Sequence, residues 1–211
     1  MSSSAPADAS HLIDQRRTQI VEEARRLFGE RGTAEVSMDE IATHAGVARS
    51  TVYVYFANRS ELLVACVATL YDRLLLSLAV GVDEDPPTRL TALVAALFET
   101  IDEHPAFFRL AIATQGSPNQ SGVAVSEFLA AIAQEIASTL LEILEAGRRQ
   151  GSWAAPDLEQ RSNLIGQQLF GALLVRATDP TPASAADAAL ELVDFVTFGL
   201  NPPPPRQGAT P

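Results

Sequence analysis

Apolar residues recur along this chain at intervals of three and four, the spacing that lines one face of an α-helix. Ile20, Ala24, Leu27 and Phe28 form the first stripe, on a helix predicted for residues 14–30. Arg16, Arg17, Glu22, Glu23, Arg25 and Arg26 cover much of its remaining surface. Gly32 suits its end. Ser37 followed by Glu40 has the spacing of a capping box and opens a short second helix. Met38, Ile41, Ala42 and Ala45 share one face of it. Gly46 supplies a turn, because it takes a positive φ at no steric cost, and Val47 is an apolar wedge. In the third helix Val52 and Phe56 lie four apart and pack inward together. Asn58 and Glu61 repeat the capping device before a fourth helix at 59–78. Its inward stripe is Leu62, Leu63, Cys66, Leu70 and Leu74.

An acidic, proline-containing break spans 81–87, and long apolar helices follow. One is predicted at 88–103 through Leu90, Leu93, Val94, Leu97, Phe98 and Ile101. A short one at 105–114 starts with Pro105 in its first turn. A long one at 123–149 buries Phe128, Leu129, Ile132, Ile136, Leu140, Leu141 and Leu144, and ends on Arg148 and Arg149, where cations are favoured. Trp153 packs back from the loop beyond it. Asp157 with Gln160 is read as an N-cap pair for a helix to about 176, and Ser184 caps the last helix, 185–198. These last two are apolar over more than one stripe, which points to a ligand cavity or a subunit interface beyond the core. No strand is needed. The expected architecture is all-α with about nine helices. A mobile arm occupies 1–13, a three-helix unit 14–58, a connecting helix 59–80, a larger helical domain 81–200 and a disordered tail 201–211.

Composition changes the picture in two places. The formal charge is −11 and the pI about 4.6, which alone argues against nonspecific nucleic-acid binding. The distribution qualifies this: residues 41–60 hold two arginines and no acid. There is no lysine, so every cation except histidine is an arginine, the side chain suited to two-pronged recognition. Cys66 is the sole cysteine, which excludes an intrachain disulfide and a cysteine-rich zinc site. A reducing, cytoplasmic setting is the simple reading, with no signal peptide and no membrane-spanning run.

With Val52 and Phe56 turned inward, Arg49, Ser50, Tyr53, Val54 and Tyr55 face outward. A helix this short is not stable alone. Its charge, hydroxyls and aromatic rings are the groups that meet phosphates and base edges in a helix-turn-helix.

The stretch IATHAGVARSTVYVYFANRSELL resembles the DNA-binding signature of the TetR family of transcriptional regulators, and the resemblance extends back to LFGERGTAEVSMDEIA. It covers about residues 16–75; the remainder agrees in length, helical character and apolar content. The resemblance implies three N-terminal helices that bind double-stranded DNA. It also implies a larger helical domain that binds a small effector and forms the homodimer. Most members repress genes and release DNA when the effector binds. By position, Arg49, Ser50 and Val54 approach base edges, while Thr51, Tyr53, Tyr55 and Arg59 touch the DNA backbone. Ala48 departs from the pattern, standing where a capping serine or threonine is common; the missing cap costs roughly 1 kcal/mol. Chemically, Arg49 matches guanine O6 and N7, and Val54 a thymine methyl. Ser50, Thr51 and Tyr53 suit phosphate oxygens, and Arg59 adds a charge-assisted bond.

Leu164, Phe170, Leu173, Leu190 and Val193 are the expected dimer interface, with Gly166 and Gly171 allowing close approach. Leu97, Phe98, Phe107, Phe108, Phe128, Ile132 and Phe170 are the expected walls of an effector cavity, which implies an apolar or aromatic ligand. No catalytic constellation, metal site or cofactor is expected: His11, His44 and His104 are scattered, and neither a phosphate-cradling glycine loop nor a nucleophile elbow occurs. The reading is a palindrome-binding, ligand-responsive repressor. The alternative is a helical small-molecule binding or sequestering protein without DNA binding, against which Arg49, Thr51, Tyr53, Tyr55 and Arg59 count.

Overall fold

Capping side chains set where several of the helices begin. Ser37 Oγ accepts a hydrogen bond from the Glu40 backbone N–H at 3.2 Å, and the Glu40 carboxylate accepts from the Ser37 N–H at 2.9 Å, so the capping box is complete. Asn58 Oδ1 accepts from the Glu61 N–H, and Glu61 accepts in return from the Ala57 N–H. Ser184 Oγ accepts from the Asp187 N–H at 3.1 Å. The computed structural model describes residues 5–33, 35–114, 120–154 and 157–200, and all regular structure among them is helical. The helices are α1 (Ala5–Arg31), α2 (Met38–His44), α3 (Arg49–Tyr55), α4 (Arg59–Leu78), α5 (Pro86–Glu103), α6 (Pro105–Thr114), α7 (Gln120–Gln150), α8 (Leu158–Thr178) and α9 (Ala185–Leu200).

Three local expectations change. The arm expected over 1–13 is helical from Ala5 onward, because alanines favour helix and Pro6 sits in a first turn that needs no N–H from it. Residues 1–4 and the tail at 201–211 lie outside the described residues. Helix α5 starts two residues earlier than predicted. Asp85 accepts from both the Thr88 N–H and the Thr88 hydroxyl, and Pro86 takes the first helical position. Asp157 precedes α8 but makes no side-chain cap. Its φ of 54° is left-handed, whereas a capping side chain works from extended backbone.

The chain divides into two units, and not along the linear boundaries read from the sequence. The first comprises 1–73 and 104–131, the second 74–103 and 132–211. In the first, α6 packs against α1 rather than joining the larger domain. The approach is close at Gly29, where an added Cβ would stand 3.1 Å from the Phe107 nitrogen. Ile20, Ala24, Phe28, Ile41, Val52, Phe56, Leu62 and Phe107 are among the residues of its core, and Tyr71 meets Phe128 with ring centroids 5.7 Å apart. Cys66 is buried here with its thiol donating to the Val21 carbonyl, and burial pushes that thiol up to about 12, which keeps it unreactive.

In the second unit α5 packs against both α8 and α9. Leu90, Leu93, Val94, Leu97 and Ile101 supply its buried stripe. Helix α7 is long and apolar enough to cross a membrane by length and composition. Its part in this unit buries Ile132, Ile136, Leu140, Ile143 and Leu144 at helical spacing, however, and leaves Glu135, Glu142 and Glu145 exposed. That is the pattern of an amphipathic core helix. It ends in a Schellman motif: the Ser152 N–H donates to the Gly147 carbonyl, the Gly151 N–H donates to the Arg148 carbonyl, and Gly151 takes φ 79°. The reversal returns Trp153 onto α7, where its Nε1 donates to the Leu144 carbonyl at 2.7 Å. A Cβ on Gly147 would fall 2.1 Å from Trp153 Cζ2.

Gly147→Ala is therefore expected to destabilise the second unit by about 1–3 kcal/mol despite the better helix propensity of alanine. Emission from the sole tryptophan should shift to the red as the ring is pushed outward; unchanged emission and melting would contradict this packing.

Candidate nucleic-acid interface

Helices α2 and α3 are joined by a turn of four residues. Gly46, at φ 64°, lets the Val47 N–H return to the Ala42 carbonyl. Val52 and Phe56 are fully buried, and they fix which side of α3 faces out. At roughly 100° per residue, the direction opposite this pair belongs to Val54 and Ser50. Val54 is 80% exposed and Ser50 is exposed. Arg49 and Tyr53, four apart, flank them on one side, and Thr51 and Tyr55, both half-buried, on the other. The seven residues expected to meet DNA thus lie as follows: Arg49, Ser50, Tyr53, Val54 and Arg59 exposed, Thr51 and Tyr55 at the margin. Ala48 has the extended backbone of an N-cap and no side-chain bond to offer, as its residue type dictates.

The arginines around this face are held, not loose. Arg49 Nη1 donates to Asp39 Oδ2 at 2.9 Å, with Nε 2.9 Å from Oδ1, and the guanidinium stands 5.6 Å from the Tyr53 ring centroid. Arg31 bridges the Glu35 carbonyl and the Glu40 carboxylate. Arg59 donates to the Val36 carbonyl at 3.4 Å, and Arg17 stacks over Phe56 at 5.3 Å. The pairing of Arg49 with Asp39 went unread in the sequence, since the two are ten residues apart on different helices.

The residues expected to line an effector cavity are divided between the units. Phe107, Phe108 and Phe128 belong to the first and Leu97, Phe98, Ile132 and Phe170 to the second. All are buried except Phe128, which is half-buried, and Phe170, which is 42% exposed. Within the second unit Phe98 lines a cavity of about 650 Å3 whose other walls, Gln168, Ala172, Arg176, Leu192 and Phe195 among them, were not foreseen. Arg176 is buried there. Its Nε donates to Asp102 at 2.6 Å, its Nη2 to the Ala183 carbonyl, and its guanidinium covers the Phe98 ring at 4.9 Å.

Of the expected interface residues, Leu164, Phe170 and Leu190 are exposed. Leu173 and Val193 are instead buried, so these two complete the core of the second unit. Val175, Phe195 and Phe198 are exposed and were missed as surface residues. Leu164, Gln168, Gly171 and Val175 follow one another on one side of α8, with Phe195 opposite along two adjoining cavities. A Cβ on Gly171 would meet nothing within 4 Å.

Helix α3 is the outward helix of a helix-turn-helix, the architecture of a DNA-binding regulator. Comparison with known proteins places it further. Residues 20–66 match the family of bacterial regulatory proteins, tetR family. The chain is 31% identical over 194 residues to the HTH-type transcriptional regulator BetI of Rhizobium meliloti, covering 88% of this chain and 89% of that one. It is 28% identical over 193 residues to the HTH-type transcriptional regulator EthR of Mycolicibacterium smegmatis, covering 87% and 84%. A tetR-family transcriptional regulator from Streptomyces coelicolor superposes with a TM-score of 0.70 at 25% identity, covering 87% and 79%. The chain belongs to the TetR family: it is a DNA-binding transcriptional regulator and not an enzyme.

The capping box beneath this face carries a pH signature. The Ser37 N–H, then Arg31, then the Ser37 hydroxyl hold the Glu40 carboxyl down to about 2, from an ordinary 4.5. A depressed carboxylate contributes stability that is complete above its unfolded value and lost as pH falls through its folded one. Glu40→Gln should therefore melt below the wild type by a constant margin above about pH 4.5, and the margin should narrow toward pH 2. A margin independent of pH, followed by circular dichroism, would refute the assignment.

Proposed function

We propose that the protein acts as a homodimeric repressor that holds a palindromic operator through α3 of each subunit and lets go when an apolar or aromatic small molecule binds. The observation that carries this reading is the face of α3. Two buried anchors leave Arg49, Ser50, Tyr53 and Val54 turned outward in a stretch that contains no acid. Arg49 has the fork for guanine O6 and N7, and Val54 the apolar surface for a thymine methyl. Thr51, Tyr53, Tyr55 and Arg59 are of the right chemistry for phosphate oxygens, which position the helix without reading sequence.

A single short helix reads too few base pairs to find one site in a genome. Two related by a twofold axis, roughly 34–36 Å apart, read a palindrome one helical turn long. The apolar surface along α8 and α9 supports such pairing. Leu164, Phe170, Val175, Leu190, Phe195 and Phe198 are large side chains that one copy leaves in water, and a second copy would cover them. The open Gly171 permits close approach there. The cavity beside Phe98 has the size of a small-molecule site, with apolar walls from Ala172, Leu192 and Phe195. A ligand in it relieves repression only by preferring a conformer that fits the operator poorly.

Selection from a random duplex library with the full chain tests the DNA reading. A palindromic consensus is expected, lost at one base pair per half-site in Arg49→Ala. Arg59→Ala should instead weaken all duplexes alike and lower the slope of log affinity against log salt by about 1. Enrichment of no sequence would overturn the reading. Sedimentation at micromolar concentration tests the pairing: the wild type should run as a dimer and Phe195→Asp as a folded monomer, since Phe195 is 70% exposed in one copy. A wild-type monomer would end the dimer assignment.

A further inference from the structure

The ion pair between Arg49 and Asp39 lies on the proposed reading face itself, with 65% and 55% of the two side chains exposed. It therefore contributes little to stability. What it does is geometric. Arg49 opens α3 and Asp39 stands in the first turn of α2, so the contact crosses the turn. Nη1 donates to Oδ2 and Nε lies against Oδ1, both at 2.9 Å. The Tyr53 ring, one turn further along α3, lies alongside the guanidinium, 5.6 Å from its carbon. A free arginine side chain explores many rotamers, and fixing it on a base costs conformational entropy. Here the carboxylate and the ring restrict it before any DNA arrives.

The pair does not exhaust the guanidinium. Its five N–H groups form more than one two-pronged edge. Asp39 engages Nη1 and lies against Nε, and the Tyr53 side chain also hydrogen-bonds the group, so reading a base requires an edge containing Nη2 to meet two acceptors in line. Guanine offers two such acceptors, O6 and N7, in the major groove.

We propose that Asp39 is a positioning residue for base recognition: it holds Arg49 in the orientation that reads a guanine and stays paired with it on the operator. This rests on the reading of Arg49 as the base-contacting arginine. The competing role for Asp39 is that of a decoy, a carboxylate that DNA must displace. The two roles differ in sign. Removing a decoy tightens binding to every duplex, because a negative charge leaves the face and Arg49 is released. Removing a positioning group loosens the choice of base and leaves the other positions of the site untouched.

The experiment compares the full-length wild type, Asp39→Asn, Arg49→Ala and the double variant, each selected against one random duplex library, with the bound pools sequenced and thermal melts recorded. Asp39→Asn keeps the shape of the side chain and removes its charge. The wild-type pool should carry a fixed guanine in each half-site. Asp39→Asn should lower the preference for that guanine about tenfold and change no other position. In the Arg49→Ala background the same substitution should change nothing further. Undiminished guanine preference in Asp39→Asn, with tighter binding to all duplexes, would overturn the proposal in favour of the decoy. A wild-type consensus retained by Arg49→Ala would show the base-reading role of Arg49 itself to be wrong, and the proposal would fall with it.

Discussion

The burial of Val52 and Phe56 is the contact on which the rest depends. A helix of seven residues does not persist in water, since nucleation consumes most of what so few hydrogen bonds return. Helix α3 also lacks a capping side chain, so neither end secures it. Its stability is borrowed from the first unit, through two side chains with less than 2% of their surface exposed. At about 1.5–3 kcal/mol for each large apolar group buried, the pair outweighs a missing cap worth about 1. The same two contacts settle orientation. Because they occupy one side of the helix, every residue that is polar or aromatic and not needed for packing is turned the other way.

Charge is arranged to serve that face, against the composition of the chain. A net charge of −11 repels a duplex at long range, so affinity has to come from a local exception. The exception is the acid-free run through the turn and α3, with arginine as its cation. Even there the positive groups are engaged: Arg49 by Asp39 and Arg59 by the Val36 carbonyl. Cations already held in place carry less nonspecific affinity than loose ones.

What was legible from residues alone was whatever depends on neighbours a few positions away. The capping box at Ser37 and Glu40, the turn at Gly46, the Val52–Phe56 anchor and the return of Trp153 are all local, and each stands as its spacing implied. Contacts between distant segments were not legible. Helix α6 belongs with α1, more than seventy residues upstream, and no local pattern in Phe107 or Phe108 names that partner. On α8 and α9 the failure has a different cause. Both are apolar on several sides, so periodicity carries no phase, and nothing in the spacing told Leu173 and Val193, which are buried, from Val175, Phe195 and Phe198, which are not. That choice is made by tertiary packing, in which α5 lies against both helices. Asp157 misled for a third reason: its residue type suits a cap, but its left-handed backbone aims the side chain elsewhere.

The two arginine–aspartate pairs make the division between fold and function quantitative. Arg176 and Asp102 join α5 to α8 with the guanidinium only 6% exposed, further tied to the Ala183 carbonyl and stacked on Phe98. Removing one partner of such a pair strands a buried charge and costs about 3–5 kcal/mol, somewhat less here because Asp102 keeps a third of its surface in water. Arg49 and Asp39 meet at 2.9 Å, against 2.6 Å for Arg176 Nε and Asp102, in an environment that is mostly solvent, so their attraction is worth about 1 kcal/mol or less. Shorter bonds and burial both set the first pair apart from the second. The first is part of what keeps the second unit folded. The second contributes little to folding, and what it can do is bias the direction of an exposed side chain.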